Sequence, residues 1–199
     1  MKKGHLIVIE GIDGAGKSTQ VRRLLRGLRS RGVQAVAFRE PTRGKWGREL
    51  KRKAKTAGSL TPEEELALFL RDRKENVARN LKPSLRAGRV VILDRYYFST
   101  IAYQGAKGLD PARIRRLNEK FAPKPDLVFI LDVPAAAGLT RISGRRTKDI
   151  LFERQTYLRR VRAIFRSFQG PGFVRLDGRK DKMALAREIL GRTLRTIRG

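Results

Sequence analysis

Lys17 and Ser18 close a run, Gly11-Ile12-Asp13-Gly14-Ala15-Gly16-Lys17-Ser18-Thr19, that meets the pattern Gly-x-x-x-x-Gly-Lys-[Ser/Thr] at every fixed position. The chemistry is phosphate binding. Glycines let the backbone curl around an anion, so that successive N–H groups and a helix N-terminus all point at it. Lys17 then reaches the β- and γ-phosphates of a nucleoside triphosphate, and the Ser18 hydroxyl ligates Mg²⁺. Asp94, at the end of an apolar run, is the carboxylate expected to serve the same metal, directly or through water. Arg73 falls on the apolar stripe of a helix pattern. An arginine there is costly unless an anion neutralises it, either a carboxylate or a substrate phosphate. Gly144-Arg145-Arg146-Thr147-Lys148-Asp149 is short, densely basic and set between two helical patterns, the place for a lid at about 143–150.

These residues need elements to hold them. His5-Leu6-Ile7-Val8-Ile9-Glu10 reads as a strand buried on both faces, and Val21, Leu24, Leu25 and Leu28 predict a helix from near Ser18. Strand, loop and helix thus follow in the order the phosphate motif requires. Residues 33–38 predict a second strand, which puts Arg39-Glu40-Pro41 on the carboxyl edge of the sheet, where ligands bind in open α/β folds. A polar loop over 42–47 and a short basic helix over 48–57 come next. Thr61-Pro62-Glu63-Glu64 carries the N-cap, first-position proline and capping glutamate of a long helix to about Ala87, with Leu66, Phe69, Leu70, Val77 and Leu81 on one stripe. Residues 89–93 form a third strand, 99–105 are polar and aromatic, and Asp110-Pro111 starts another helix. A fourth strand over 126–131, a helix from Pro134 to about Ser143, a stripe of Leu151, Leu158, Val161, Phe165 and Phe168, a fifth strand over 173–176 and a helix carrying Leu185, Ile189, Leu190, Leu194 and Ile197 complete the chain. Strands alternate with helices, so the sheet is expected to be parallel and covered on both faces.

At 199 residues one domain with a full core is expected. The chain has no cysteine and a single histidine, which excludes disulfides, thiolate chemistry and histidine metal clusters. No apolar run is long enough to cross a bilayer, and Met1-Lys2-Lys3-Gly4 leads straight into a strand pattern, so a cytoplasmic protein without a signal sequence is expected. Forty-seven Lys and Arg against 19 Asp and Glu give a formal net charge of +28, which attracts polyanions. The excess is spread along the chain rather than gathered into one tail, so it marks no binding groove by itself.

The blocks Glu10–Thr19, Arg39-Glu40-Pro41, Phe69-Leu70-Arg71-Asp72-Arg73, Asp94-Arg95-Tyr96, Ser99-Thr100-Ile101-Ala102-Tyr103-Gln104-Gly105 and Leu131-Asp132-Val133-Pro134 with Arg141 and Arg145 resemble, in this order, the thymidylate kinases among the P-loop nucleoside monophosphate kinases. The resemblance covers nearly the whole chain, and the 94–105 block is its most specific part. It implies an α/β three-layer sandwich with a five-stranded parallel sheet of order 2-3-1-4-5, usually paired as a homodimer. ATP would lie on residues 11–19, with Arg141 packing on the adenine. The acceptor dTMP would lie among Arg39, Glu40, Phe69, Arg73, Arg95, Ser99, Tyr103 and Gln104. On this reading Phe69 stacks on the pyrimidine, Arg73 and Gln104 contact the base or its phosphate, and Arg39 and Arg95 hold the acceptor phosphate. Tyr103 crowds the sugar 2′ position.

Family members place the catalytic cation either in the phosphate loop or in the lid. Here the loop has Gly14 at that position, so Lys17 and Asp94 would act with Arg145 and Arg146 from the lid. One segment departs from the family, which commonly follows Arg-Glu-Pro with Gly-Gly-Thr: this chain has Thr42-Arg43-Gly44-Lys45-Trp46. The resulting expectation is Mg-ATP-dependent phosphorylation of dTMP. A same-fold kinase for another nucleotide or nucleoside, and an ATP-dependent nucleic-acid-binding protein suggested by the charge, are the rival readings.

Overall fold

The computed structural model describes residues 3–54, 56, 59–141 and 148–198, the side chains of 148–152 excepted. Five strands, β1 (His5–Glu10), β2 (Ala35–Arg39), β3 (Val90–Asp94), β4 (Leu127–Asp132) and β5 (Phe173–Asp177), form one parallel sheet in the order β2-β3-β1-β4-β5. The expected order is the observed one. Nearly unbroken runs of Leu, Ile, Val and Phe put β1, β3 and β4 at the centre, whereas the more mixed β2 and β5 take the edges. In this register Ile9 and Arg39 both lie opposite Asp94, and Asp132 opposite Asp177. The polar residues therefore gather along the carboxyl edge.

Helices α1 (Lys17–Arg29), α2 (Lys45–Lys53), α3 (Pro62–Asn76), α4 (Lys82–Arg86), α5 (Tyr97–Gly105), α6 (Pro111–Glu119), α7 (Ala135–Thr140), α8 (Lys148–Ser167) and α9 (Lys182–Arg198) surround the sheet. Several depart from the sequence expectation for identifiable reasons. β2 begins at Ala35 rather than Val33 because Gly32 (φ 72°) and Val33 donate to the carbonyls of Arg29 and Leu28, which closes α1 in a Schellman cap. The helix expected over 61–87 has the predicted capping box at Thr61 and Glu64, but it is interrupted by a widened π turn at Val77–Leu81. Pro83 lies just beyond. It has no N–H to donate, and its ring crowds the carbonyl one turn back. α2 starts three residues earlier than expected, from Gly44, and α7 ends at Thr140. The segment 99–105, for which no element was assigned, lies within α5; that helix is buried almost all round and so shows no amphipathic stripe. Leu158, Val161, Phe165 and Phe168 of the α8 stripe are buried in the core, as are Leu185 and Ile189 of α9.

Candidate active site

The strand–loop–helix unit at residues 5–29 forms as its sequence predicts. Gly16 (φ 92°) is the N-cap of α1, no side chain caps that helix, and its first turn has no acidic residue. Its terminal N–H groups are therefore open to an anion. Lys17 is buried and donates to the Ile12 carbonyl at 2.8 Å, which lays it across the inside of the loop. Burial, with the Arg95 guanidinium nearby, brings the Lys17 ammonium down to about 7 against the opposing pull of Asp13, Asp94 and Glu10. The Ser18 hydroxyl donates to Asp94 Oδ2. Asp94 Oδ1 is buried and has no hydrogen-bond partner among the described residues. A hydroxyl and an unpartnered buried carboxylate oxygen at the mouth of a phosphate loop fit a divalent cation that also takes phosphate oxygens. Among the described residues no group of three His, Cys, Asp or Glu side chains could hold a metal alone.

Gly14 (φ 78°) faces α7, and a Cβ on it would lie 2.1 Å from the carbonyl oxygen of Gly138. A side chain cannot be placed there without moving the loop or the helix. The same junction carries Arg141, whose guanidinium is exposed and donates to the Gly14 carbonyl at 3.1 Å. Arg145 and Arg146, with the lid expected at about 143–150, lie outside the described residues, apart from the backbone of the α8 start.

Beside the loop lies a cavity of about 300 Å³ lined by Asp13, Glu40, Pro41, Glu65, Phe69, Arg73, Arg95, Tyr96, Ser99, Thr100, Tyr103, Gln104, Lys107 and Tyr157. Seven of the eight expected acceptor residues meet here; Arg39 does not. Its exposed side chain lines a second cavity with Arg43 and Arg79, on the other side of Pro41. Arg73 is 1 % exposed and donates to Glu40 (2.7 Å), Asn118 Oδ1 and Thr100 (3.1 Å). Of the two anions considered for it, the carboxylate is present. Three of its five N–H donors are thereby engaged, which leaves two for a ligand. Burial pushes the Glu40 carboxyl up, and Arg73 and Asn76 pull it back.

Arg95 joins the cavity to the phosphate loop. It takes φ 73°, an unfavourable value for a non-glycine residue, and is held there by its backbone bond to Ile9 and by side-chain contacts to Asp13, Ser99 (2.9 Å) and the Gly11 carbonyl (3.4 Å). Tyr103 completes the junction by accepting from the Asp13 N–H at 3.0 Å, and burial pushes its hydroxyl up to about 12. Two contributors escaped the sequence reading. Glu10, fully buried, accepts from the N–H groups of Tyr96 (2.7 Å) and Ser99 (3.1 Å) and from the Ser99 hydroxyl, so it anchors the start of α5. Asp72 accepts from Thr42 through both backbone N–H (2.8 Å) and hydroxyl (2.6 Å), fixing the segment that departs from the family pattern. Trp46 of that segment lies under Lys45 and Arg71, at 4.7 and 5.0 Å from the ring centre, and is not among the residues that line the cavity. A carboxylate ending an otherwise apolar strand and an Asp between two arginines are the signals the sequence carries.

The family model described as thymidylate kinase matches residues 9–189. A thymidylate kinase of Akkermansia muciniphila is 47 % identical over 188 residues, covering 94 % of this chain and 90 % of the relative. One from Xanthomonas campestris pv. campestris is 45 % identical over 185 residues (93 % and 81 %), and one from Brachyspira hyodysenteriae is 44 % identical over 188 (94 % and 92 %).

Proposed function

Because the chain belongs to the thymidylate kinase family, we propose that it transfers the γ-phosphoryl group of ATP to dTMP, giving dTDP and ADP. The acceptor assignment rests on one observation. Arg73, with two N–H donors beyond those given to Glu40, Asn118 and Thr100, and Gln104, whose buried Oε1 has no partner among the described residues, both belong to the lining of this cavity. A pyrimidine-2,4-dione offers their complement, a carbonyl oxygen at position 4 beside an N–H at position 3. Cytosine offers the reverse at both positions. Phe69, half-buried on the cavity wall, supplies a face for stacking, and Tyr103 beside it disfavours a ribose hydroxyl.

No covalent intermediate is needed, so the residues act by positioning and by neutralising charge. Residues 11–19 take the donor phosphates on backbone N–H groups, Lys17 bears on the β- and γ-phosphates, and Arg141 packs on the adenine. Arg95 and Ser99 hold the acceptor phosphate toward the loop, while Glu40 acts on Arg73 rather than on the acceptor. Arg39 is left out because its side chain lines the other cavity. We assign the metal as Mg²⁺, held by Ser18 and Asp94 directly or through water, where it neutralises charge on the phosphate oxygens. Arg145 and Arg146 supply the cation that Gly14 lacks. The proposal extends to one kinase domain with a lid at about 143–150, a homodimer, a cytoplasmic location and salt-screened attraction to nucleic acid from the +28 charge. Incubation with Mg-ATP and dTMP is expected to yield dTDP and ADP in equal amounts. ATP hydrolysis without dTDP, stimulated instead by RNA or DNA, would refute it.

A further inference from the structure

Glu65, in the first turn of α3, lies outside every motif that pointed to the site, yet it lines the acceptor cavity. Its Oε2 accepts from Gln104 Nε2 at 2.7 Å and from the Lys107 ammonium. Gln104 is itself 1 % exposed, and its Oε1 has no partner among the described residues. An amide has a donor end and an acceptor end, whereas a carboxylate paired with a lysine only accepts. Facing Glu65, the amide turns its NH₂ toward the carboxylate, and its buried oxygen is left as an acceptor with no partner among the described residues.

We infer that Glu65 is a positioning residue that sets base selectivity by fixing the orientation of the Gln104 amide. This deepens the dTMP reading above and rests on it. Arg73 can only donate, and Glu40, Asn118 and Thr100 hold it in place. Gln104 is the one reader of the pair that could face either way, and with Glu65 in place it accepts. The lining of one cavity therefore holds a reader that only donates and a reader turned to accept, a pair that a 2,4-dione satisfies and a 4-aminopyrimidine does not. A buried acceptor opposed to another acceptor goes unpaired, and that mismatch is the source of the discrimination. Lys107, by donating to the same Glu65 oxygen, keeps the carboxylate from needing a second donor.

The test is Glu65→Gln made together with Lys107→Met, because the Lys107 ammonium would otherwise hold an acceptor oxygen at the same position; the change keeps the size and shape of residue 65 but lets two amides pair in either orientation. Steady-state rates are measured with dTMP and dCMP at saturating Mg-ATP. The expected result is a fall of about tenfold in the ratio of kcat/KM for dTMP over dCMP. The fall appears in the KM values, while kcat for dTMP and the KM for ATP stay within about twofold. In a Gln104→Ala background the same pair of changes is expected to leave the ratio unmoved, because the residue through which Glu65 acts is gone. A ratio unchanged by Glu65→Gln with Lys107→Met, or one that shifts equally in both backgrounds, overturns the inference. Wild-type protein with no preference for dTMP over dCMP overturns the functional reading itself, and this inference with it.

Discussion

Lys17 is a site residue whose burial works against stability. Its ammonium is brought from 10.5 to about 7 mainly by burial. A lysine whose proton affinity is lower folded than unfolded binds fewer protons in the folded state between about pH 7 and 10.5, so stability rises with pH through that window, and the full cost is present below pH 7. Lys17→Met should therefore abolish most turnover and yet raise the melting temperature at pH 6, the gain closing toward pH 10. Thermal melts of parent and variant at both pH values check it. Arg73 behaves in the opposite way. Arg73→Ala leaves the Glu40 carboxylate buried without its ion partner and should cost about 3–5 kcal/mol in urea unfolding. Glu40→Gln with Arg73→Met should recover much of that stability but not the affinity for dTMP. Recovery of both would make Arg73 a structural partner and nothing more.

At the scale of elements, the loop and α7 are locked together by two glycines. A Cβ at Gly138 would fall 2.6 Å from the Asp13 carbonyl oxygen and 2.9 Å from Ile12 Cδ1. Gly138→Ala should thus push the loop from its anion-binding shape, raising the KM for ATP well beyond that for dTMP and costing about 1–3 kcal/mol of stability. The same contact leaves no room for a basic side chain at Gly14, which strengthens the case for Arg145. Arg145→Ala is expected to lower kcat by about 10³–10⁵ with little change in ADP affinity, as for a contact made in the transition state. A few-fold loss in single and double changes at Arg145 and Arg146 would send the search for the cation elsewhere.

Across the molecule, what could be read from sequence follows the range of each interaction. The phosphate loop, the capping box at Thr61 and the Asp110 cap are local, and each appears where its residues predict. The sheet order came through the family resemblance. Long-range polar contacts were not legible in this way: nothing local ties Glu10 to Ser99, 89 residues away, or Asp72 to Thr42, 30 residues away. Arg39 is expected at the acceptor because its strand end lies on the carboxyl edge of the sheet, but its side chain lines the cavity on the other side of Pro41. Arg73 was correctly read as needing an anion, but periodicity alone could not choose Glu40. Apart from the arginines of the site, the large positive charge is expected to affect encounter rates that fall with salt. The central claim, a cavity built for a thymine monophosphate, is tested most directly by kcat/KM with Mg-ATP across a panel of dTMP, UMP, dCMP, dAMP and dGMP. The account predicts dTMP highest, UMP lower through Tyr103, and the others far below. A higher value for a purine monophosphate or for dCMP would contradict it.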